Sequence, residues 1–156
     1  MTSDRGTDVL VVEDNVDDEM LTLRGLGTAG VAGSVVVVRN GAEALDFLFA
    51  QGEHAERDAS PLPRLVLLDL NLPRVNGLEV LRRLREDERT ADLCVVIFSS
   101  SDEQCDRRES RRLGANDYVC KPLSSDAYCD AVRQVVREWL ESDALGPRPA
   151  GPMQSN

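Results

Sequence analysis

Two acids, Glu13 and Asp14, stand directly behind an unbroken apolar run, Val9–Val12, and a third, Asp69, stands directly behind another, Leu65–Leu68. Short apolar runs that do not alternate with polar residues read as strands covered on both faces. Such strands, packed side by side, would bring the three carboxylates to one edge. Two unit charges about 4 Å apart repel by about 4 kcal/mol at an effective dielectric near 20, so the cluster calls for a protonated carboxyl or a bound cation. Oxygen ligands with no neighbouring histidine or cysteine favour a hard divalent ion, and a small wet site suits Mg²⁺, which keeps several waters and recruits phosphate oxygens. Helix N-capping accounts for Asp14 or Asn15 alone. It does not account for Asp69, which is followed by Leu-Asn-Leu-Pro rather than by a helix.

A further run at 95–98 ends in Ser99, Ser100 and Ser101, and a weaker one at 118–120 is followed by Lys121 and Pro122. Serines behind a strand are commonly loop formers, and a lysine before a proline means little by itself. On the same edge as three acids, a hydroxyl and a cation acquire an electrostatic purpose, because Lys121 can pair with Asp69 and then hold a phosphoryl oxygen.

These residues need a scaffold that levels the strand ends. With Val35–Val38 there are five apolar runs, and segments of helical spacing lie between them, such as Leu45, Leu48 and Phe49, or Leu78, Leu81 and Leu84. The last segment has N-cap oxygens at Ser124 and Ser125, Asp126 for the first turn, and a stripe of Tyr128, Ala131, Val132, Val135 and Trp139, with an end near Ser142. The fourth, 102–113, carries only Cys105 and Leu113 as apolar anchors, so it is expected to be weakly held. Repeated βα units dictate right-handed crossovers and a doubly wound α/β fold, a five-stranded parallel sheet with helices on both faces. Its functional crevice is expected at the carboxyl ends of the strands. The polar stretch 51–63 reads as a long surface loop, and the Pro/Gly-rich 146–156 as disordered.

The 156 residues suit one domain, 8–142, between a short tail at 1–7 and a disordered tail at 143–156. A net charge of −10 argues against nucleic-acid binding, which needs clustered basic residues, and the Arg-rich run 107–112 alternates with acids like a solvated helix face. No stretch of eighteen apolar residues exists and the N-terminus lacks a signal-peptide pattern, so membrane insertion and secretion are not expected. Cys94, Cys105, Cys120 and Cys129 form no C-x-x-C pair and lie far from His54, the only histidine, so they read as free thiols of a reducing cytosol.

Glu13-Asp14 behind the first strand, Asp69-Leu-Asn-Leu-Pro with Gly77 behind the third, Ser99 behind the fourth and Lys121-Pro122 behind the fifth resemble the receiver domains of bacterial response regulators. Ser99 lies thirty and Lys121 fifty-two residues beyond Asp69, and the resemblance runs over roughly 8–141. It implies a flavodoxin-like (CheY-like) sheet of order 2-1-3-4-5. It also implies that Asp69 accepts a phosphoryl group from a sensor histidine kinase, with Mg²⁺ on Asp14, Asp69 and the Asn71 backbone carbonyl and Glu13 acting through a water. Lys121 and Ser99 would meet the phosphoryl oxygens, Ser99 and Tyr118 would form the switch, Asn71 and Ser101 would tune the lifetime, and Lys121-Pro122 would be cis. The run Leu68-Asp-Leu-Asn-Leu-Pro-Arg, the 51–63 loop and the terminal Glu138-Trp-Leu are similar to the single-domain regulators paired with phytochrome kinases in the cytoplasm. With only a tail behind the domain, output is expected through protein contacts. A homodimer through the fourth helix, fifth strand and fifth helix is expected, with Tyr128, Trp139 and Leu140 supplying its apolar area.

Three other readings compete. A flavodoxin-like cofactor binder must cradle a phosphate behind strand one, where Glu13, Asp14, Asp17 and Asp18 would repel it. A dehalogenase-type phosphatase resembles this pattern but carries a second Asp where Asn71 stands, so a turnover enzyme is not expected. A degenerate receiver acting only as an interaction module would be expected to lack the acid pair, the acceptor or the lysine, and all are present.

Overall fold

Valine and leucine fill every position of β1 (Val9–Val12), β2 (Val35–Val38) and β3 (Leu65–Leu68), and Val95–Ser99 and Asp117–Cys120 supply β4 and β5. β-Branched and apolar residues suit the crowded surface of a pleated sheet. The computed structural model describes residues 7–31, 34–54, 62–101 and 103–140. Residues 1–6 of the expected N-terminal tail, the whole expected C-terminal tail, the expected end of the last helix near Ser142 and most of the 51–63 loop lie outside these residues, although Gly52–His54 forms one 3-10 turn. The five strands are parallel in the order β2-β1-β3-β4-β5, as the resemblance implies.

Helices α1 (Val16–Thr28), α2 (Gly41–Phe49), α3 (Gly77–Glu86), α4 (Gln104–Arg112) and α5 (Ser125–Trp139) follow the strands in turn. Asn15, Asn40, Asn76 and Ser124 cap α1, α2, α3 and α5, each side-chain oxygen accepting the backbone N–H three residues on. Helix α4 has no side-chain cap.

Strand residues alternate between two cores. Leu10, Val12, Val66, Leu68 and Ile97 pack with Leu45, Leu48, Val80, Leu81 and Leu84 of α2 and α3, while Val9, Val11, Leu67 and Phe98 pack with Leu26, Tyr128, Val132 and Val136 of α1 and α5. Each fully buried side chain of this size stabilises the fold by about 1.5–3 kcal/mol. Only the three central strands are covered on both faces. The edge strand β2 buries Val38 alone, and β5 is half-buried throughout, because an outer strand has one neighbour and less helix over it.

Two sequence expectations need correction. Tyr128 and Leu140 are buried, Tyr128 edge-to-face on Phe98 at 5.1 Å with its hydroxyl 3.1 Å from Thr22 Oγ1, and Trp139 is half-buried against the same core. They serve the core instead of an outer face, because α5 lies lengthwise against the sheet and α1. Cys105, expected as an anchor of α4, faces solvent. Helix α4 instead turns Ser110, its one buried residue, inward.

Candidate functional site

Val12 pairs with Leu68 in register across β1 and β3, so Glu13 and Asp69, each one residue further, emerge level on adjacent strands. Ser99 ends β4 opposite Cys120 of β5, and Lys121 follows. The strand ends therefore gather Glu13, Asp69, Ser99 and Lys121, with relative exposures of 4%, 6%, 0% and 9%, while Asp14 beside them is exposed.

Lys121 is the hub. Its Nζ lies 2.7 Å from Glu13 Oε1, 2.8 Å from Asp18 Oδ2 and 3.0 Å from Asp69 Oδ2. The second oxygens of two of these acids are also occupied: Glu13 Oε2 accepts the Asn15 amide at 3.2 Å, and Asp69 Oδ1 accepts the Asn71 amide at 3.2 Å. Asp69 is thus held from both sides before any chemistry.

Gly77 is required beside it. A Cβ there would sit 2.3 Å from the Asp69 carbonyl oxygen, so only glycine lets α3 begin against the backbone of the acid.

Four carboxylates, Glu13, Asp14, Asp18 and Asp69, share this corner with one ammonium. Burial pushes the Glu13 carboxyl up to about 7, the Lys121 hydrogen bond working against it and the Asp69 charge adding to it. Burial also works against the charge of Lys121, yet Asp18, Asp69 and Glu13 outweigh it and hold the ammonium above its ordinary range.

Ligand oxygens of Glu13, Asp14 and Asp69 lie within 4.8 Å of one another. Two buried carboxylates and one exposed, with oxygen donors only, fit a hard divalent cation such as Mg²⁺. His54 lies apart from this corner, against Phe47 and Glu43, and the four cysteines are free thiols.

Ser99 Oγ accepts the Ser101 amide at 3.2 Å. Tyr118 of β5 donates its hydroxyl to the Ser101 carbonyl, and its ring lies under the Arg107 guanidinium at 4.7 Å. The Ser101 hydroxyl donates to Asp106 of α4. Asp18 is the site residue that sequence reasoning missed. Its signal was positional: it is the third helical residue behind the Asn15 cap, a place from which an acid ordinarily turns back toward the cap.

Comparison with known proteins gives a consistent picture. The family model of the response regulator receiver domain matches residues 9–133. A protein described as "Probable methanogenesis regulatory protein FilR2", from Methanothrix harundinacea, is 36% identical over 132 residues, which span 85% of this chain and 83% of that protein. Response regulator Rcp1 of Synechocystis is 33% identical over 137 residues, 88% of this chain and 91% of that one. The Mn²⁺-bound structure of an Rcp1 response regulator superposes with a TM-score of 0.80 at 32% identity, covering 92% of this chain and 99% of that one. The phosphorylated cyanobacterial phytochrome response regulator RcpA superposes with a TM-score of 0.81 at 34% identity, covering 88% and 96%.

Proposed function

This chain belongs to the response regulator receiver family, and from that premise we propose that it takes a phosphoryl group from a histidine kinase onto Asp69. The observation that carries the reading is the contact of Lys121 Nζ with Asp69 and Glu13, a buried cation poised beside an acid cluster. Lys121 is also the only lysine in the chain.

Phosphoryl transfer asks for in-line positioning and for donors that meet charge on the transferring oxygens. The Asp69 carboxylate is the nucleophile; it forms a P–O bond as the P–N bond of a phosphohistidine breaks, and the imidazole keeps the electron pair. The Asn71 amide and Lys121 fix the carboxylate for this approach. Lys121 then turns an N–H to a phosphoryl oxygen, and the Ser99 hydroxyl offers a second donor from β4. Asp14, Asp69 and the Asn71 carbonyl would hold Mg²⁺, with Glu13 acting through a water. Bound there, the ion supplies charge neutralisation for the phosphoryl oxygens.

The kinase in this reading is of the phytochrome type, supported by the likeness to RcpA, itself a phytochrome response regulator. The chain then works in the cytoplasm, passes its signal on through protein contacts, and is no turnover enzyme, since Asn71 stands where a general acid would be needed. No described helix is long and apolar enough to cross a membrane. A homodimer through α4, β5 and α5 rests on the open edge of β5 rather than on Tyr128 or Leu140. Light scattering with and without beryllofluoride tests it, and a monomer in both conditions removes it.

Intact mass tests the central claim. With Mg²⁺ and a small phosphodonor the wild type gains one phosphoryl group, and neither Asp69→Asn nor an EDTA control does. A wild type that stays unmodified with both the small donor and a phosphorylated kinase would leave an interaction module instead.

A further inference from the structure

Asp18 is neither the phosphoacceptor, nor one of its proposed metal ligands, nor the hydroxyl donor, yet it touches the centre of the site. It occupies the first turn of α1, where its own amide donates to the Asn15 cap at 2.9 Å. Its Oδ2 is 2.8 Å from Lys121 Nζ. The group whose oxygens converge for a metal consists of Glu13, Asp14 and Asp69, so the partner of Asp18 here is the lysine.

An ammonium has three N–H donors and no more. Lys121 faces three carboxylate oxygens at 2.7, 2.8 and 3.0 Å, and its donors are therefore all spent. A phosphoryl oxygen arriving on Asp69 gains a lysine N–H only when one of these contacts is given up. Glu13 and Asp69 have nearly buried side chains, at 5% and 7% exposure, whereas Asp18 stands at the rim with 29%, where water can replace the lost donor. Asp18 is the contact that yields. Until it does, its charge both restrains the ammonium and opposes an incoming anion.

We propose that Asp18 is a positioning residue for Lys121, holding the ammonium against α1 in the resting protein and releasing it when an anion occupies Asp69, and so setting how tightly the site keeps a phosphoryl group. The proposal rests on the reading of Asp69 as phosphoacceptor. It also gives α1 a link to the state of the site, since the first turn of that helix loses its tie to β5 when the lysine swings away.

A single lysine makes the test direct, because selective ¹⁵N-lysine labelling gives one Nζ signal. Wild type, Asp18→Asn and Asp18→Glu are compared with Mg²⁺, with and without beryllofluoride as the phosphoryl mimic. Asp18→Asn is expected to bind beryllofluoride about tenfold more tightly, since a competing charge is gone. Without the mimic its Nζ signal is expected to move and to exchange protons faster with water. With the mimic bound, wild type and Asp18→Asn should give the same signal, because the lysine has left position 18 in both. Asp18→Glu keeps the charge and should return the affinity toward wild type. An acid that merely stabilised α1 would shift the melting temperature alone, and an unmoved Nζ signal with unchanged or weaker affinity overturns the proposal. Failure of wild type itself to bind beryllofluoride with Mg²⁺ would instead remove the phosphoacceptor reading, and this inference with it.

Discussion

Tyr118 donates its hydroxyl to the carbonyl of Ser101 at 2.8 Å, while the amide of that same serine donates to Ser99 Oγ at 3.2 Å. One residue thus joins the hydroxyl proposed to meet the phosphoryl group to the aromatic ring proposed to respond. Tyr118→Phe deletes the first of these bonds and leaves the carbonyl to water, for an expected loss of about 0.5–1.5 kcal/mol. Urea unfolding reads this as a lower midpoint at constant slope. An unchanged midpoint would show that the bond contributes nothing to the resting fold.

The acid cluster is unfavourable to the resting fold. Three carboxylates contact one lysine with Asp14 close by, and burial already drives Glu13 toward its neutral form. Asp69→Asn removes one charge and leaves Lys121 with Glu13 and Asp18, so in EDTA this variant is expected to melt above wild type, by about 1–2 kcal/mol of added stability. Mg²⁺ should raise the wild-type melting temperature as its concentration rises, and that of the variant less. Thermal scans with Asp69→Asn melting below wild type in EDTA would sink the idea.

Both tyrosines of the chain titrate late. Burial pushes the Tyr128 phenol well above its ordinary range, its bond with Thr22 working the other way, and burial likewise raises Tyr118. At pH 10 the native protein should show far less tyrosinate absorbance than the same protein in denaturant. A folded pKa above the unfolded one means the unfolded chain ionises first, so this contribution is intact below about pH 10 and is lost as pH climbs above it. Equal absorbance in the two states at pH 10 would refute it.

Ser110 is buried in α4, and its hydroxyl finds no hydrogen-bond partner among the described residues. Ser110→Ala removes an unsatisfied polar group and improves helix propensity, for an expected gain of about 1 kcal/mol. Hydrogen exchange should localise the gain to α4, as slower exchange of that helix with the others unchanged.

The strands were legible because their apolar runs are short and unbroken, and the acids were legible because they sit immediately behind those runs. Glu13, Asp69, Ser99 and Lys121 meet as expected because parallel register converts position in each run into height on one edge. Asp18 escaped notice because its role depends on the direction in which a first helical turn points, which the spacing of residues along the chain does not reveal. Tyr128 and Leu140 were misassigned to an outer face because a stripe wider than one contact has two possible partners, and only the packing of α5 on α1 and the sheet decides between them. Cys105 looked like an anchor by residue type, yet α4 turns a serine inward in its place.

The register of β1 against β3 runs without a bulge from Val9 opposite Leu65 to Val12 opposite Leu68. The two strands therefore act as matched rulers. Inserting or deleting one residue in either run would move its terminal acid by about 3.3 Å and turn it to the opposite face of the sheet. Exchanging one of these valines or leucines for another would leave the acid where it is. Under random mutation the site should thus tolerate spelling changes in its supporting strands and reject changes of length: what the genome must preserve there is a count of residues more than their identity.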